Sequence, residues 1–365
     1  MKKITFISNS SWNIKNFRAP LITKYLVQGY DVHVCVPENE ENLVALFPGI
    51  YVHTFFMKRG SLTLMNNLYA FSSLLFLLLK IKPDILFSFT PQVNLHVGII
   101  SVFVRGKFIP TITGMGSLYT KNSRDSLIST CIKSVYRFVL RRAYLVFVQN
   151  ETDELIVSNL VDQKVKTKRV PGSGIDVLKF DLPFKKFERP KIAFIGRFLR
   201  DKGLREFLRA IDLLKKQYEF DAFIIGKIDQ GNPSSLSQQE LVDMLSSGNI
   251  MNLGFYEDIR EALSWLDCVC LPSYREGTSR VLLEAMACRR FVVTTKAVGC
   301  EHLMQSGKNG LLCEVADVDS LCIALRRFLE MSDAERNTYI NNARQYIENE
   351  YNQTKIAQLY FNEVN

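Results

Sequence analysis

Short apolar runs alternate with amphipathic segments along nearly the whole chain. The runs are rich in β-branched residues, which is typical of buried strands. Segments between them, such as residues 17–28 and 126–142, repeat their apolar positions at a helical period. In the first half, the predicted strands are Lys3–Ser8, Asp31–Val36, Tyr51–Phe56, Asp84–Phe89, Phe108–Thr113 and Tyr144–Gln149. In the second half, they are Lys191–Ile195, Ala222–Gly226, Met251–Phe255, Cys268–Pro272, Phe291–Thr295 and Gly310–Glu314.

Strands that alternate with helices predict an α/β fold with parallel sheets. Two series of six strands predict two facing, doubly wound, Rossmann-like domains, over residues 1–170 and 171–350. Glycines and prolines interrupt the pattern between Pro171 and Pro190. We expect residues 351–365 to form a helix that packs back on the first domain. Open parallel sheets bind ligands beyond the carboxyl ends of their strands, so an active site is expected in the cleft between the domains.

Composition supports this picture and excludes several classes of protein. The chain has 365 residues, of which 47% are hydrophobic and 23% charged. That is enough apolar material for two cores, and it excludes disorder, collagen-like repeats and disulfide-rich miniproteins. The eight cysteines stand mostly in apolar runs, which predicts reduced core residues in a cytosolic protein. Cys268 and Cys270 lack a second pair at zinc spacing, so no metal site is expected there.

The excess of positive over negative charge lies in the first half of the chain. Residues 1–170 carry 21 Lys and Arg against 10 Asp and Glu, whereas residues 171–365 carry 25 against 27. A basic half suggests an anionic partner, which can be nucleic acid, a phosphorylated ligand or an acidic membrane. Nucleic acid is disfavoured because the sequence has no arginine-rich arm, zinc finger or aromatic RNA-binding motif.

Two segments suggest contact with a membrane. The segment from Leu62 to Ile81 is rich in Leu and Phe but is interrupted by asparagines and serines, so we expect a buried or interfacial helix rather than a spanning one. In residues 126–142, Lys133, Arg137 and Arg141 share one helical face. Basic amphipathic helices bind anionic membranes, although an ordinary surface helix gives the same pattern.

The first candidate site follows the strand Lys191–Ile195. Gly196 at the end of the strand allows the backbone to approach a ligand closely. Arg197 and Lys202 then place two cations beside the start of a helix, where free N–H groups favour anions. The segment is suited to a diphosphate, but a solvated basic turn would look the same, and the P-loop pattern is absent.

The second candidate site follows the strand Cys268–Pro272. Glu276 lies in a loop that enters a helix, and Thr278 or Ser279 is expected to be the helix N-cap. Glu284 stands inside an apolar stretch of that helix, where an unpaired carboxylate is costly. The structural alternative is that Glu276 caps the helix and Glu284 lies on the surface. The apolar residues around Glu284 favour a functional role for the two carboxylates instead.

Together, Glu276 and Glu284 at E-x7-E spacing and the Gly196-Arg197…Lys202-Gly203 loop resemble the family 4 retaining glycosyltransferases of the GT-B architecture. The resemblance covers essentially the whole chain. It is closer still to bacterial enzymes that add an N-acetylhexosamine to an undecaprenyl-diphosphate-linked sugar. The residues that carry this finer resemblance are Gly231–Leu236, Leu271–Gly277 and Leu283–Ala287.

The resemblance implies a role for each matched residue. Arg197 and Lys202 are implied to hold the donor diphosphate and stabilise it as a leaving group, Glu276 to contact the donor sugar, and Glu284 to bind the ribose hydroxyls. The expected donor is a UDP-sugar, the leaving phosphate accepts the acceptor's proton, and no metal or other cofactor is expected. The donor-binding residues so implied are Gly196, Glu284, Gly277, Thr278, Ser279 and Arg280.

For the acceptor, polar residues and glycines after the strands of the first domain are candidates. They are Asn16, Arg18, Thr90, Asn94, Gly114 and Gly116. The alternative for Asn16 and Arg18 is a helix cap with a surface Arg, and for the two glycines it is a tight turn. Some relatives have a His near the sugar, and this chain has none in Thr113–Ser117. Arg289 and Arg290 are interpreted as a surface turn. Asp317-Val-Asp319 is interpreted as a helix cap rather than a metal ligand.

The sequence therefore predicts transfer of a hexose or N-acetylhexosamine, with N-acetylgalactosamine first by resemblance, to an undecaprenyl-diphosphate-linked saccharide during synthesis of a bacterial surface glycan. The expected location is the cytoplasm, on the inner face of the cytoplasmic membrane. Three alternatives remain: transfer to a soluble acceptor, epimerisation of a nucleotide sugar, and a non-catalytic scaffold.

Overall fold

The chain forms two compact units, each built on a parallel sheet. A computed structural model describes residues 1–58, 63–114, 127–161, 165–184, 188–230, 232, 234–305 and 307–365. The first unit comprises Met1–Ser173 with Gln353–Asn365, and the second comprises Gly174–Asn352. The domain limits expected from the sequence were residues 170 and 350.

The first unit has seven parallel strands in its described part. They are β1 (Lys3–Ile7), β2 (Asp31–Val36), β3 (Tyr51–Thr54), β4 (Ile85–Phe89), β5 (Lys107–Ile112), β6 (Val146–Val148) and β7 (Thr167–Arg169). The order across the sheet is β3-β2-β1-β4-β5-β6-β7. The central strands are buried on both faces, because helices cover both sides of the sheet.

Two groups of helices cover this sheet. The helices of the unit are α1 (Ser11–Phe17), α2 (Ala19–Val27), α3 (Leu43–Leu46), α4 (Leu64–Ile81), α5 (Pro91–Ile100), α6 (Leu127–Leu140), α7 (Glu151–Leu160) and α14 (Gln353–Val364). Residues of α4, α5, α6 and α7 share one core cluster, and residues of α1, α2, α3 and α14 share another. The C-terminal helix α14 packs on α2, and its buried Tyr360 lies 4.1 Å from Phe147, ring centre to ring centre.

The second unit has six parallel strands in its described part, in the order β10-β9-β8-β11-β12-β13. They are β8 (Lys191–Ile195), β9 (Asp221–Ile225), β10 (Met251–Asn252), β11 (Cys268–Leu271), β12 (Phe291–Thr295) and β13 (Leu311–Cys313). Its helices are α8 (Leu204–Leu214), α9 (Gln238–Met244), α10 (Ile259–Leu263), α11 (Arg280–Ala287), α12 (Val318–Glu330) and α13 (Asp333–Glu350). The predicted fold class, two doubly wound α/β domains with a C-terminal crossover helix, is confirmed.

Two predictions about these elements are wrong. The first sheet has a seventh strand, β7, which the sequence did not reveal because Thr167-Lys-Arg169 at the sheet edge has no apolar run. Arg290 is not in a surface turn: its side chain is fully buried, and Nη2 donates a 2.9 Å hydrogen bond to the Pro183 carbonyl. Burial also lowers the pKa of Arg290. The neighbouring Arg289 is partly exposed and pairs with Asp181.

Candidate active site

The strand order of the second sheet reverses between β8 and β11. The chain moves outward from β8 to β9 and β10, and then returns to place β11 on the other side of β8. The loops that follow β8 and β11 therefore lie side by side at the carboxyl edge, which is where open parallel sheets bind ligands. These two loops contain both motifs singled out in the sequence.

Backbone contacts hold the two loops together. The Tyr274 amide donates to the Asp201 carbonyl at 2.8 Å, and the Ser273 hydroxyl donates to the same oxygen at 3.3 Å. Between them, Gly203 has a φ of +73°, and a Cβ built on it would lie 2.0 Å from the Pro272 carbonyl oxygen. Only glycine fits at this position, because any side chain would separate the loops.

This contact predicts opposite outcomes for two glycines of the same loop. Gly203→Ala is expected to cost about 2 kcal/mol or more of stability, because the backbone conformation is strained for alanine and the new methyl meets a carbonyl. Gly196→Ala is expected to change stability by less than about 0.5 kcal/mol, because its Cβ would meet nothing closer than 3.7 Å. Denaturant unfolding of both variants measures the difference, and equal stabilities would contradict it.

Lys202 and Glu276 form an ion pair across the two loops, from Nζ to Oε1. Only 14% and 15% of the two side chains is exposed, so each charge is the main compensation for the other. The backbone of Glu276 is fixed by its amide, which donates to the Val298 carbonyl at 2.8 Å. The structure thus brings together a cation and a carboxylate that are 74 residues apart in the chain.

Arg197 is also paired, with a residue that the sequence did not reveal. Its Nη1 lies 2.5 Å from Oδ2 of Asp229, and that carboxylate accepts a second hydrogen bond from the Asn232 side chain. The chain after Asn232 runs antiparallel to the Arg197 loop, since the Arg200 amide donates to Ser234 and the Leu236 amide donates to Phe198. Both cations of the motif are therefore held by carboxylates of the same unit.

The start of α11 is polar but incompletely paired. Ser279 is the N-cap residue, yet its side chain makes no capping hydrogen bond. The Thr278 hydroxyl is buried and has no hydrogen-bond partner among the described residues. An anionic ligand at this helix end would meet backbone N–H groups together with an available hydroxyl.

Glu284 lies further along α11, with only 9% of the residue exposed. Burial raises its pKa, and Arg280, whose Nε donates to Oε1 at 2.8 Å, opposes the rise. One carboxylate oxygen is thus held by Arg280 one turn earlier. The remaining acceptor capacity of the carboxylate suits a ligand hydroxyl.

In the first unit the strand order reverses between β1 and β4, which places residues near Arg18 and Thr90 at the switch point. Thr90 has a φ of +79°, which is strained for a β-branched residue, and its buried hydroxyl has no partner among the described residues. Arg18 is only 3% exposed, and its guanidinium lies 4.0 Å from the centre of the Phe89 ring. Arg18 and Tyr360 line a small surface pocket.

The other acceptor candidates differ in what the structure leaves available. Asn94 is buried, and its amide accepts from the Ser88 hydroxyl at 2.7 Å and donates to the Thr111 carbonyl at 3.0 Å. These bonds fix its amide in the core, and its role as a sugar contact stays a prediction. The Asn16 side chain donates to the Trp12 carbonyl within its own helix. Gly114 has a φ of +135°, and no atom of the described residues would lie within 4 Å of a Cβ built on it. Gly116 lies outside the described residues.

Among the described residues, no group of three His, Cys, Asp or Glu side chains is arranged to hold a metal ion. The Asp-x-Asp triplet has the capping role expected of it: Asp317 is the N-cap of α12, and its Oδ1 accepts from the Ser320 amide at 2.9 Å.

Comparisons with known families cover both units. Residues 3–150 match the family described as glycosyl transferase 4-like. Residues 189–331 match the family described as glycosyl transferases group 1.

Two relatives align over most of the chain. The N,N'-diacetylbacillosaminyl-diphospho-undecaprenol alpha-1,3-N-acetylgalactosaminyltransferase of Campylobacter jejuni is 26% identical, covering 98% of this chain and 97% of its own. The UDP-Gal:alpha-D-GlcNAc-diphosphoundecaprenol alpha-1,3-galactosyltransferase of Escherichia coli is 25% identical, covering 81% and 78%. Among solved structures, Anabaena HepE in complex with UDP-glucose superposes with a TM-score of 0.78 at 17% identity, covering 100% of this chain and 99% of its own.

Proposed function

Because the chain is a glycosyltransferase of the GT-B fold, with both halves matching glycosyltransferase families, we propose that it transfers a hexose or N-acetylhexosamine from a UDP-sugar to an undecaprenyl-diphosphate-linked saccharide. The observation that carries the proposal is the Lys202–Glu276 ion pair, which joins the two loops at the switch point of the second sheet. Arg197 lies in the first of these loops. Two relatives act, by their names, on undecaprenyl-diphosphate-linked sugars.

In this proposal the second unit binds the donor. Arg197 and Lys202 hold the diphosphate, and the start of α11 around Gly277–Ser279 donates further hydrogen bonds to it. Glu284 binds the ribose hydroxyls, with Arg280 holding its carboxylate in place. Gly196 has no side chain, so its backbone can approach the ligand closely.

The chemical step is stabilisation of a departing diphosphate. As the bond from the anomeric carbon to the phosphate oxygen breaks, negative charge grows on UDP, and positioned cations lower the energy of that state. Two side-chain cations and a helix N-terminus can supply this charge, so we propose metal-independent transfer. Glu276 contacts the sugar, the acceptor hydroxyl attacks the anomeric carbon, and the leaving phosphate takes its proton, with retention of configuration.

The first unit is proposed to bind the acceptor, through Arg18, Thr90, Gly114 and Asn16. N-acetylgalactosamine is the proposed donor sugar, because the N-acetylgalactosaminyltransferase aligns over the larger share of the chain. The product would be an intermediate of a bacterial surface glycan such as O-antigen, capsule or a glycoprotein oligosaccharide. A lipid-linked acceptor places the enzyme in the cytoplasm, at the inner face of the cytoplasmic membrane.

Transfer of label tests the proposal directly. The purified chain is incubated with a panel of radiolabelled UDP-sugars and bacterial membrane extract in the presence of EDTA, and the lipids are then extracted. We expect label from one donor, UDP-N-acetylgalactosamine, to enter the lipid fraction. Label in a water-soluble product would instead indicate a soluble acceptor, conversion of the free nucleotide sugar would indicate an epimerase, and an unchanged donor would favour a non-catalytic protein.

A further inference from the structure

Helix α4 is apolar on both of its faces. Its inner face buries Ala70, Leu74, Leu78 and Ile81 in the core of the first unit. Its outer face leaves large side chains in contact with solvent, and these are 46–75% exposed: Leu64, Met65, Leu68, Tyr69, Phe76 and Leu79. The outer face of a helix on a water-soluble surface is normally polar. We call these six side chains the outer strip.

The neighbouring helices extend this apolar surface. Helices α4, α5 and α6 pack in sequence on the same core cluster. Just after α5, Val102 and Phe103 are 45% and 61% exposed, and on α6 Phe138 is 50% exposed. Isolated apolar side chains are common on protein surfaces, but a group carried by adjacent helices marks a surface that binds something apolar.

The charges in this part of the chain are mostly positive. Between Asn42 and Asn150 the sequence contains twelve Lys and Arg residues, two Asp residues and no Glu. One of the two, Asp84, accepts a hydrogen bond from the Lys3 amide at the start of β1. Exposed cations stand at the end of α4, as Lys80 and Lys82, on α6, as Arg137, and just after α6, as Arg141. An apolar surface with cations at its margin complements a layer of anionic headgroups over hydrocarbon.

We propose that the outer strip of α4 inserts into an anionic phospholipid bilayer, with the helix lying in the plane of the membrane. By length and composition α4 is the one helix of the described residues that could cross a membrane, with 18 residues and a mean hydropathy of 1.5. Its inner face is buried in the core of the first unit. The helix is therefore expected to lie along the membrane surface, at a depth of about 5–10 Å, and not to cross the bilayer. A second copy of this chain is disfavoured as the occupant, because two such surfaces would bring like charges together.

This proposal rests on the proposed function in one respect: a lipid-linked acceptor requires the enzyme to meet a bilayer. Binding of the chain to vesicles can nevertheless be measured without any substrate. Co-sedimentation uses the full chain with vesicles of phosphatidylcholine alone or with phosphatidylglycerol added. We expect binding to the anionic vesicles, lowered at least tenfold by Leu68→Asp with Phe76→Asp. The matched control is Leu155→Asp, on the acidic helix α7 of the same unit, where Leu155 is 61% exposed and outside the strip.

Insertion itself is measured by fluorescence. Phe76→Trp is expected to place a new tryptophan where brominated lipid chains quench it, whereas Leu155→Trp is expected to escape quenching. Equal vesicle binding by the Asp variants of both sites, equal quenching, or no preference for anionic lipid would overturn the proposal. A dimer in solution that only the Leu68→Asp, Phe76→Asp variant dissociates would assign the strip to a second copy instead. Vesicle binding without label transfer would overturn the proposed function alone.

Discussion

Glu276→Ala is expected to lower the rate of sugar transfer about 10²- to 10³-fold without weakening the binding of UDP. The carboxylate is proposed to act on the sugar during the reaction, so its loss falls on the chemical step. In the resting site the same carboxylate compensates Lys202, and both side chains are largely buried. Its removal frees that cation for the diphosphate, so the affinity for UDP should stay the same or rise. Turnover and calorimetric UDP binding, measured on the same preparation, check both parts.

Two further variants serve as controls: one removes the charge of Glu276 and keeps its shape, and the other removes a carboxylate elsewhere in the unit. Glu276→Gln can still accept a hydrogen bond from Lys202 but carries no charge, and it should also bind UDP at least as well as the unchanged protein. Glu257→Ala removes an exposed carboxylate of the same unit and should leave transfer unaffected. Wild-type turnover in Glu276→Ala, or a loss of UDP affinity as large as the loss of rate, would remove Glu276 from its assigned role.

The features of the fold that could be predicted are those marked by continuous apolar runs and by the glycines and charged residues that end them. Strands buried on both faces, such as Lys191–Ile195 and Phe291–Thr295, were located to the residue because helices on both sides require continuous apolar sequence. The two loops of the proposed donor site were singled out because glycines and charges directly follow such strands. The edge strand β7 was missed because its polar residues carry no such signal.

The features that could not be predicted depend on partners distant in the sequence. Asp229 lies in a polar loop with no pattern of its own, and only the fold brings it within 2.5 Å of Arg197. Asn94 follows a strand as a ligand contact would, yet Ser88 and Thr111 satisfy its amide inside the core. Arg290 looked exposed because arginines usually are, and its burial depends on the Pro183 carbonyl, 107 residues away in the chain.

Replacing both Arg197 and Lys202 with alanine is expected to weaken the binding of UDP about 10²-fold or more. Hydrogen bonds from a cation to phosphate contribute about 1.5–3 kcal/mol each, and tenfold in affinity corresponds to about 1.4 kcal/mol. Arg197 is half-exposed, so its loss should not unfold the protein. Loss of Lys202 leaves the largely buried Glu276 carboxylate uncompensated, so a triple variant that adds Glu276→Gln is measured beside the double variant. Isothermal titration with UDP measures the loss, and unchanged affinity would show that the cations do not hold the diphosphate.

The pairing of Arg197 with Asp229 predicts an opposite change in the affinity for UDP, a rise in place of a fall, measured by the same titration. In the resting unit Asp229 competes with the diphosphate for Arg197, so Asp229→Asn should raise the affinity for UDP. The gain should be a few-fold, because a half-exposed ion pair contributes no more than about 1 kcal/mol, and it should shrink at high salt. Combining Asp229→Asn with Arg197→Ala tests the mechanism, since most of the gain must vanish once the cation is gone. A gain that is equal with and without Arg197 would mean that Asp229 repels the diphosphate directly and does not act through the arginine.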